Sequence, residues 1–252
     1  MSDIPPRHEL KYLLREEDAQ RVRRMLRPFC ELDAYSQASA DSQYLVQSLY
    51  LDTPRHQLYW ASKVEQVGRM KVRVRTYGLL NAPVFLEVKR KHRRLVRKSR
   101  VLVPREGWAE RGAQLPAHAS AREQDFWAQV SRHLLEPMTL VRYRREAWVG
   151  VHDDYARVTF DREVQFQPWD SWTLDGDDSA WHSMDGADCT KQVPRAVVLE
   201  LKCPTEAPVW MQRLVQSLEL FRQSFSKYCT SIERGFGRRH PLGLAPSAPS
   251  YS

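Results

Sequence analysis

The chain has 252 residues, of which 42% are hydrophobic, so it can bury a core and is not disordered as a whole. Its 39 Lys and Arg residues against 31 Asp and Glu give a formal net charge of +8, which favours a polyanionic partner such as a phosphate compound, nucleic acid or acidic lipid. No apolar run approaches the roughly 18 to 20 residues of a membrane span and no secretory signal opens the sequence, so we expect a cytoplasmic protein. The four cysteines have no paired spacing and indicate neither a zinc site nor a disulfide framework.

The first half of the chain predicts five strands and one helix. After the first strand, an acidic first turn followed by Val22, Met25 and Leu26 on one face predicts a helix that Pro28 ends. The strand segments, identified by alternating side chains and by β-branched or aromatic residues, are HELKYLL, YLVQSLYLD, RMKVRVRTY, VFLEVKRK and VRKSRVLV. Five such strands in succession predict an antiparallel meander.

The second half predicts three more strands and two helices. Helices are expected over residues 121–135 and 208–223, the second with Phe221 on its apolar face. Strands are expected at LVRYRREAWVG and ARVTFDREVQF, joined by the turn HDDY, and at AVVLELK. Residues 169–194 carry six Asp and one Lys without periodicity, which predicts a long acidic surface loop.

These elements predict an α+β fold in which an eight-stranded antiparallel β-barrel has its helices packed outside. Residues 1–237 are expected to form a single domain, and residues 238–252 a disordered tail.

Charged residues recur at every second position of the strands and therefore share one face of each strand. A solvated outer face would explain any one strand. However, fourteen Lys or Arg and only Glu65 and Glu87 lie between Lys63 and Arg105, and one-signed strands in register repel unless an anion lies among them. The residues that share such faces are Arg7, Glu9 and Lys11; Lys71, Arg73 and Arg75; Glu87 and Lys89; Lys98 and Arg100; Tyr143 and Arg145; Arg157, Thr159 and Asp161; and Glu200 and Lys202.

A glutamate stands beside a lysine on three of these strands. Carboxylates among cations suit a site where Mg²⁺ or Mn²⁺ bridges phosphate oxygens. If the charged face lies inside the barrel, the lumen is a wet cationic tunnel, and the helices must cover the apolar outer face.

Nine segments in order resemble the polyphosphate polymerase (VTC) domain of the triphosphate tunnel metalloenzymes, a CYTH-like superfamily. The resemblance runs from about residue 7 to residue 233. One branch of that superfamily, with adenylate cyclases and thiamine triphosphatases, opens with ExExK; here Arg7 precedes Glu9 and Lys11, which favours the polymerase branch. The segments are RHELKYLL, SLYLDTP, KVRVRTYG, FLEVKRK, VRKSR, RYRREAW, ARVTFD, VLELK and FSKY.

The resemblance implies an eight-stranded tunnel in which cations hold phosphates and glutamates hold Mn²⁺ or Mg²⁺. Together with the strand faces, it indicates catalytic roles for Arg73, Arg75, Lys89, Arg145 and Arg157, and metal binding by Glu200, Glu9 and Glu87. The expected substrate-binding residues are Arg7, Lys11, Lys71, Lys98, Arg100, Tyr143, Lys202, Ser226 and Lys227.

Three functions are compatible with such a tunnel. The first is a metal-dependent phosphotransferase that moves the γ-phosphate of ATP onto a polyphosphate chain. The second is hydrolysis of tripolyphosphate or a nucleoside triphosphate, and the third is non-catalytic binding of polyphosphate or inositol phosphates. A nucleic-acid partner is disfavoured because no RNP-like or zinc-knuckle pattern is present. A separate membrane partner has no support in the sequence, and the oligomeric state stays open.

Overall fold

The computed structural model describes residues 8–78, 82–93, 95–112, 115–152, 156–190, 193–203 and 206–236. The predicted site residue Arg7, the predicted domain end at residue 237 and the predicted tail over 238–252 lie outside the described residues. The predicted HDDY turn lies mostly outside them as well.

The described chain alternates ten strands with six α-helices and one short 3₁₀ helix, Glu110–Gly112. The strands are β1 His8–Leu14, β2 Cys30–Leu32, β3 Tyr44–Asp52, β4 Arg69–Tyr77, β5 Val84–His92, β6 Leu95–Val103, β7 Glu136–Gly150, β8 Arg157–Pro168, β9 His182–Ser183 and β10 Val197–Cys203. The helices are α1 Glu16–Leu26, α2 Ala34–Gln37, α3 Gln57–Lys63, α4 Ala121–His133, α5 Val209–Ser217 and α6 Lys227–Gly235. Each predicted strand and each predicted helix is therefore present.

Eight of the strands form one curled antiparallel sheet in the order β1-β10-β8-β7-β3-β4-β5-β6. The short strands β2 and β9 pair with β7 and β8 beside this path. The sheet is a half-barrel with the helices outside, which confirms the predicted α+β class and its eight-stranded architecture.

The outer, convex face of the sheet is apolar and is covered by helices. Under α4, the side chains of Phe126 and Trp127 join a buried cluster with β3, β4, β5 and β6. Under α1 and α5, Val22 and Leu214 join a second buried cluster with β1, β8 and β10. Alternation along the strands then directs the charged side chains to the concave face.

Part of the concave face is filled by a third apolar cluster. Tyr143 of β7 packs there with Tyr228 and Ile232 of α6. Asp52, at the end of β3, accepts hydrogen bonds from the backbone N–H of Leu58 at 2.8 Å and from the hydroxyl of Tyr228, so it joins α3 and α6 to the sheet. Helix α6 therefore begins within the concave face.

The predicted helix over 208–223 is too long. Helix α5 ends at Ser217, and Phe221, predicted on its apolar face, is 80% exposed. The chain after α5 runs beside β1, where the backbone N–H of Gln223 donates to the carbonyl of Lys11 at 2.9 Å. The residues after α5 thus lie along β1, at one edge of the sheet, instead of continuing the helix.

The acidic segment 169–194 is more than a surface loop. Leu174 and Met184 are buried in two of the apolar clusters, and β9 lies within the segment. The segment is therefore not only a surface loop: besides Leu174 and Met184, the partly buried Trp169, Trp172 and Trp181 pack against the core without any periodic pattern in the sequence. Among the described residues, no helix has the length and apolar character to cross a bilayer.

Candidate functional site

Charged side chains of strands that are not neighbours in the sheet meet across the concave face. Lys89 of β5 has its Nζ 2.9 Å from Oε2 of Glu9 on β1, although these strands are separated by most of the sheet. Lys71 of β4 donates from Nζ to Oγ of Ser226, at the start of α6, at 2.9 Å. The concave face is thus a concentrated ionic surface on which side chains of distant strands contact one another.

Glu87 is the centre of one ionic cluster. It is 1% exposed, and its Oε2 accepts a hydrogen bond from Nε of Arg73 at 2.7 Å. Nζ of Lys98 lies 2.7 Å and Nε of Arg100 lies 3.3 Å from its Oε1. Burial would raise the pKa of Glu87, but Arg73, Arg75 and Lys98 hold that pKa well below its ordinary value. One carboxylate therefore stays ionised among several cations.

Arg73 and Arg75 of β4 are oriented by hydroxyl groups of β3. Arg73 donates from Nη1 to the hydroxyl of Tyr50 at 3.1 Å, and Arg75 donates from Nε to Oγ of Ser48 at 2.8 Å. Burial opposes ionisation of Tyr50, yet Arg73, Arg75 and Lys71 lower its pKa to about 8. Both guanidinium groups are therefore fixed, as planar recognition of phosphate requires.

Lys71, Lys89 and Lys98 lie directly opposite one another on the neighbouring strands β4, β5 and β6. We call these three residues the lysine row. Like charges in register are destabilising. Burial lowers the pKa of Lys71, and burial together with Arg73 lowers the pKa of Lys98 to about 8 despite Glu87. An anion bound here would relieve the repulsion.

A second ionic cluster surrounds Glu200 on β10. Nζ of Lys11 lies 3.0 Å from Oε1 of Glu200 and 3.3 Å from Oε1 of Glu9, and Nζ of Lys202 lies 2.8 Å from Oε2 of Glu200. Burial would lower the pKa of Lys11, but Glu200 and Glu9 raise it. Burial would likewise raise the pKa of Glu200, but Lys11, Lys202 and Lys227 hold it well below its usual value. Both carboxylates share one cation.

Asp161 belongs to this second cluster, although it was not among the predicted site residues. Nε and Nη2 of Arg145 donate to its two carboxylate oxygens at 2.6 and 2.8 Å, and Nζ of Lys227 donates at 2.6 Å. Asp161 is 0% exposed, and Arg145 and Lys227 lower its pKa against the effect of burial. The sequence could have identified it as a site residue, because it follows Thr159 by two positions on the charged face of β8.

The first residues of α6 complete the site. Ser226 caps the helix by accepting a hydrogen bond from the backbone N–H of Cys229 at 3.2 Å. Nζ of Lys227 lies 4.6 Å from the ring centroid of Tyr143, which is buried beside Arg145. The pair Ser226 and Lys227, which the sequence placed among the substrate-binding residues, therefore does lie on the concave face.

Arg157 differs from the other predicted site residues. Its side chain is 46% exposed, and its Nη2 lies 2.6 Å from Oδ2 of Asp33. It is paired in register with Lys202, at the margin of the ionic face. Its ion pair holds it at that margin rather than within either cluster.

The fold and site define a curled antiparallel sheet protein with a predominantly cationic concave face. Residues 6–236 match the family model of the VTC domain, so the chain belongs to the VTC domain family. This confirms the resemblance found in the sequence.

Three solved structures are among those similar to this chain. A Pyrococcus horikoshii OT3 protein has 12% identity and a TM-score of 0.48, with 90% of this chain and 98% of that chain covered. A Hippeastrum protein, described as an adenylyl cyclase candidate with a dominant triphosphatase activity, has 14% identity and a TM-score of 0.49, with 94% and 97% covered. A conserved hypothetical protein from Pyrococcus furiosus has 11% identity and a TM-score of 0.43, with 90% and 99% covered. No curated protein matches the sequence.

Proposed function

We propose that the concave face binds linear polyphosphate and that the protein transfers the γ-phosphate of ATP to the end of that chain. The observation that carries this proposal is the lysine row beside Arg73 and Arg75 of β4, because these cations lie together on one concave face with too few carboxylates to neutralise them. A chain of phosphates supplies regularly spaced negative charge for such a surface. Membership in the VTC domain family supports the same class of ligand.

The residues suit phosphoryl transfer without a nucleophilic side chain. An oxygen of the terminal acceptor phosphate forms the new bond to the γ-phosphorus, while the bond from that phosphorus to the β,γ-bridging oxygen breaks and ADP leaves. The acceptor oxygen is already ionised, so no general base is needed. Charge on the transferred group would be stabilised by Arg73, Arg75 and Arg145, whose planar groups are fixed by their partners. The lysine row supplies mobile point charges along a chain that must advance.

A divalent cation, Mn²⁺ or Mg²⁺, fits the second cluster best. Within the described ranges, no three His, Cys, Asp or Glu side chains are grouped for metal binding. Glu9 and Glu200, however, both approach one cationic atom, Nζ of Lys11, and hard cations need few protein carboxylates when phosphates and water complete the shell. The buried hydroxyl of Thr159, in register with Glu200, has no hydrogen-bond partner among the described residues. The metal would supply charge neutralisation at phosphate oxygens.

Glu87 suits a different role from Glu9 and Glu200. Its ion-pair partners are Arg73, Lys98 and Arg100 of β4 and β6. We propose that Glu87 orients phosphate-binding cations, and that metal binding belongs to Glu200 and Glu9.

The test is incubation of the purified protein with ATP and Mn²⁺ or Mg²⁺, with polymer length and released phosphate measured separately. Chain growth supports the transferase, phosphate release without growth selects hydrolysis, and binding without either reaction selects a binding protein.

Variants of two adjacent arginines sharpen this assay. Arg145→Ala removes one of the two cationic partners of Asp161 on the concave face, whereas Arg144→Ala removes an arginine paired with Asp41 outside it. The proposal requires a loss of polymer formation of about 100-fold or more for Arg145→Ala and near-normal activity for Arg144→Ala. Equal effects of the two substitutions would refute the assignment of the site.

A further inference from the structure

Four aromatic side chains gather at the end of the concave face where β4 ends and β5 begins. We call Tyr35, Tyr44, Tyr77 and Phe85 the aromatic rim. Ring centroids are 5.2 Å apart for Tyr35 and Tyr44, 5.4 Å for Tyr35 and Tyr77, and 5.4 Å for Tyr77 and Phe85. Tyr35 is 47% exposed, and Tyr77 and Phe85 are half-buried, so these three rings reach solvent.

The aromatic rim continues the row of phosphate-binding cations. Arg75 is paired in register with Phe85, and its guanidinium lies 5.9 Å from the ring centroid of Tyr77. The guanidinium of Arg100 lies 3.5 Å from the ring centroid of Phe85 and 5.2 Å from that of Tyr77. Cations and aromatic faces are therefore adjacent, which is the combination that binds a phosphate next to a planar ring.

The two ends of the same strands differ in chemistry. From Arg75, β4 leads inward through Arg73 to Lys71 in the lysine row, and outward to Tyr77 in the aromatic rim. Alternate residues of a strand are about 6 to 7 Å apart along it, so the rim lies one step beyond Arg75. A ligand with phosphates at one end and an aromatic group at the other would match this order.

We propose that the aromatic rim stacks the base of a nucleoside triphosphate whose phosphates lie along Arg75 and Arg73 toward the lysine row. This inference rests on the proposed function, which takes ATP as the phosphate donor. Stacking accepts any base through its π-face, so the rim favours nucleotides over inorganic polyphosphates without reading one base by hydrogen bonds.

A purely structural role for the rings makes a different prediction. If the rings served only to hold Arg75 and Arg100 in place, their removal would weaken every phosphate ligand alike. Tripolyphosphate carries the phosphates without a base, so comparing it with ATP separates the two roles.

The experiment measures dissociation constants of ATP and of tripolyphosphate by calorimetry for the wild type and three variants. Tyr35→Ala removes the most exposed ring of the rim, Phe85→Leu keeps an apolar side chain but removes the ring beside Arg100, and Phe221→Ala removes an exposed ring outside the site as a matched control. Tyr35→Ala and Phe85→Leu should each weaken ATP binding about 5-fold or more and change tripolyphosphate binding by less than about twofold. Phe221→Ala should change neither.

Two results would overturn the inference: equal weakening of both ligands by the rim variants, or unchanged ATP binding. A wild type that binds neither ligand would refute the proposed function and the inference with it. Rim-dependent ATP binding without any chain growth would refute only the proposed transfer reaction and leave the base-stacking site in place.

Discussion

Replacing Lys71 by Met should make the ligand-free protein more stable and the ligand-bound protein less stable. Lys71 faces Lys89 directly, its pKa is lowered by burial, and its hydrogen-bond partner is the uncharged Oγ of Ser226. Met keeps the length of the side chain and removes the charge. Relief of one like-charge contact is worth about 0.2–1 kcal/mol in the free energy of unfolding. For a domain of this size, that corresponds to a rise in Tm of about 0.4–4 °C.

Tripolyphosphate should reverse this order. At a ligand concentration 100 times Kd, binding adds about 2.7 kcal/mol to the stability of the wild type. Loss of one charged hydrogen bond weakens binding by about 1.5–3 kcal/mol, so the variant would gain only about 0.3–1.3 kcal/mol at the same concentration. The variant should then melt below the wild type.

Thermal unfolding followed by circular dichroism, with and without tripolyphosphate, tests whether the melting temperatures of the variant and the wild type change order on binding. Lys63→Met is the matched control, because Lys63 lies on α3 with its side chain exposed and paired with Glu233. The control should keep the ligand-induced shift of the wild type. The reasoning is refuted if Lys71→Met lowers the Tm of the free protein or retains the full ligand-induced shift.

Three other predictions follow from the same geometry. Glu87→Gln should lower the free energy of unfolding by about 3 kcal/mol or more in denaturant titrations, because it leaves three cations around an uncharged buried group; a change below about 1 kcal/mol would contradict the ion-pair account. Tripolyphosphate affinity of the free protein should fall as pH rises through about 8, since Lys98 then loses positive charge while Tyr50 and Tyr77 gain negative charge; a calorimetric affinity that is flat or rises from pH 7 to 9 would argue against it. Ser226→Ala should cost about 1 kcal/mol of stability through loss of the α6 cap and should also weaken tripolyphosphate binding through Lys71; an unchanged melting temperature would show that the cap is dispensable.

Strand parity was the part of the structure that the sequence specified well. Side chains of a strand point alternately to its two faces, and the apolar residues of each strand occupy the face that the helices cover. Lys71, Arg73 and Arg75 therefore had to share the concave face once Val72 and Val74 were buried outside. The shortage of acidic residues between Lys63 and Arg105 indicated that the charged face lies inside the sheet and does not face solvent.

The contacts between distant segments were not readable in the same way. Asp161 stood on the correct face, but nothing local indicates that Arg145 and Lys227 converge on it, because Lys227 arrives on a helix 66 residues later. Helix α6 itself is short and begins inside the concave face, where tertiary contacts rather than propensity stabilise it. The displacement of Arg157 toward Asp33 likewise depends on where α2 begins.

A crystal structure with tripolyphosphate and Mn²⁺ would test the central claim most directly. We expect one anion on the concave face, with phosphate oxygens contacting Arg73 and Arg75 and the chain passing the lysine row. A structure with the anion elsewhere, and with the concave cations still paired only to one another, would contradict the account.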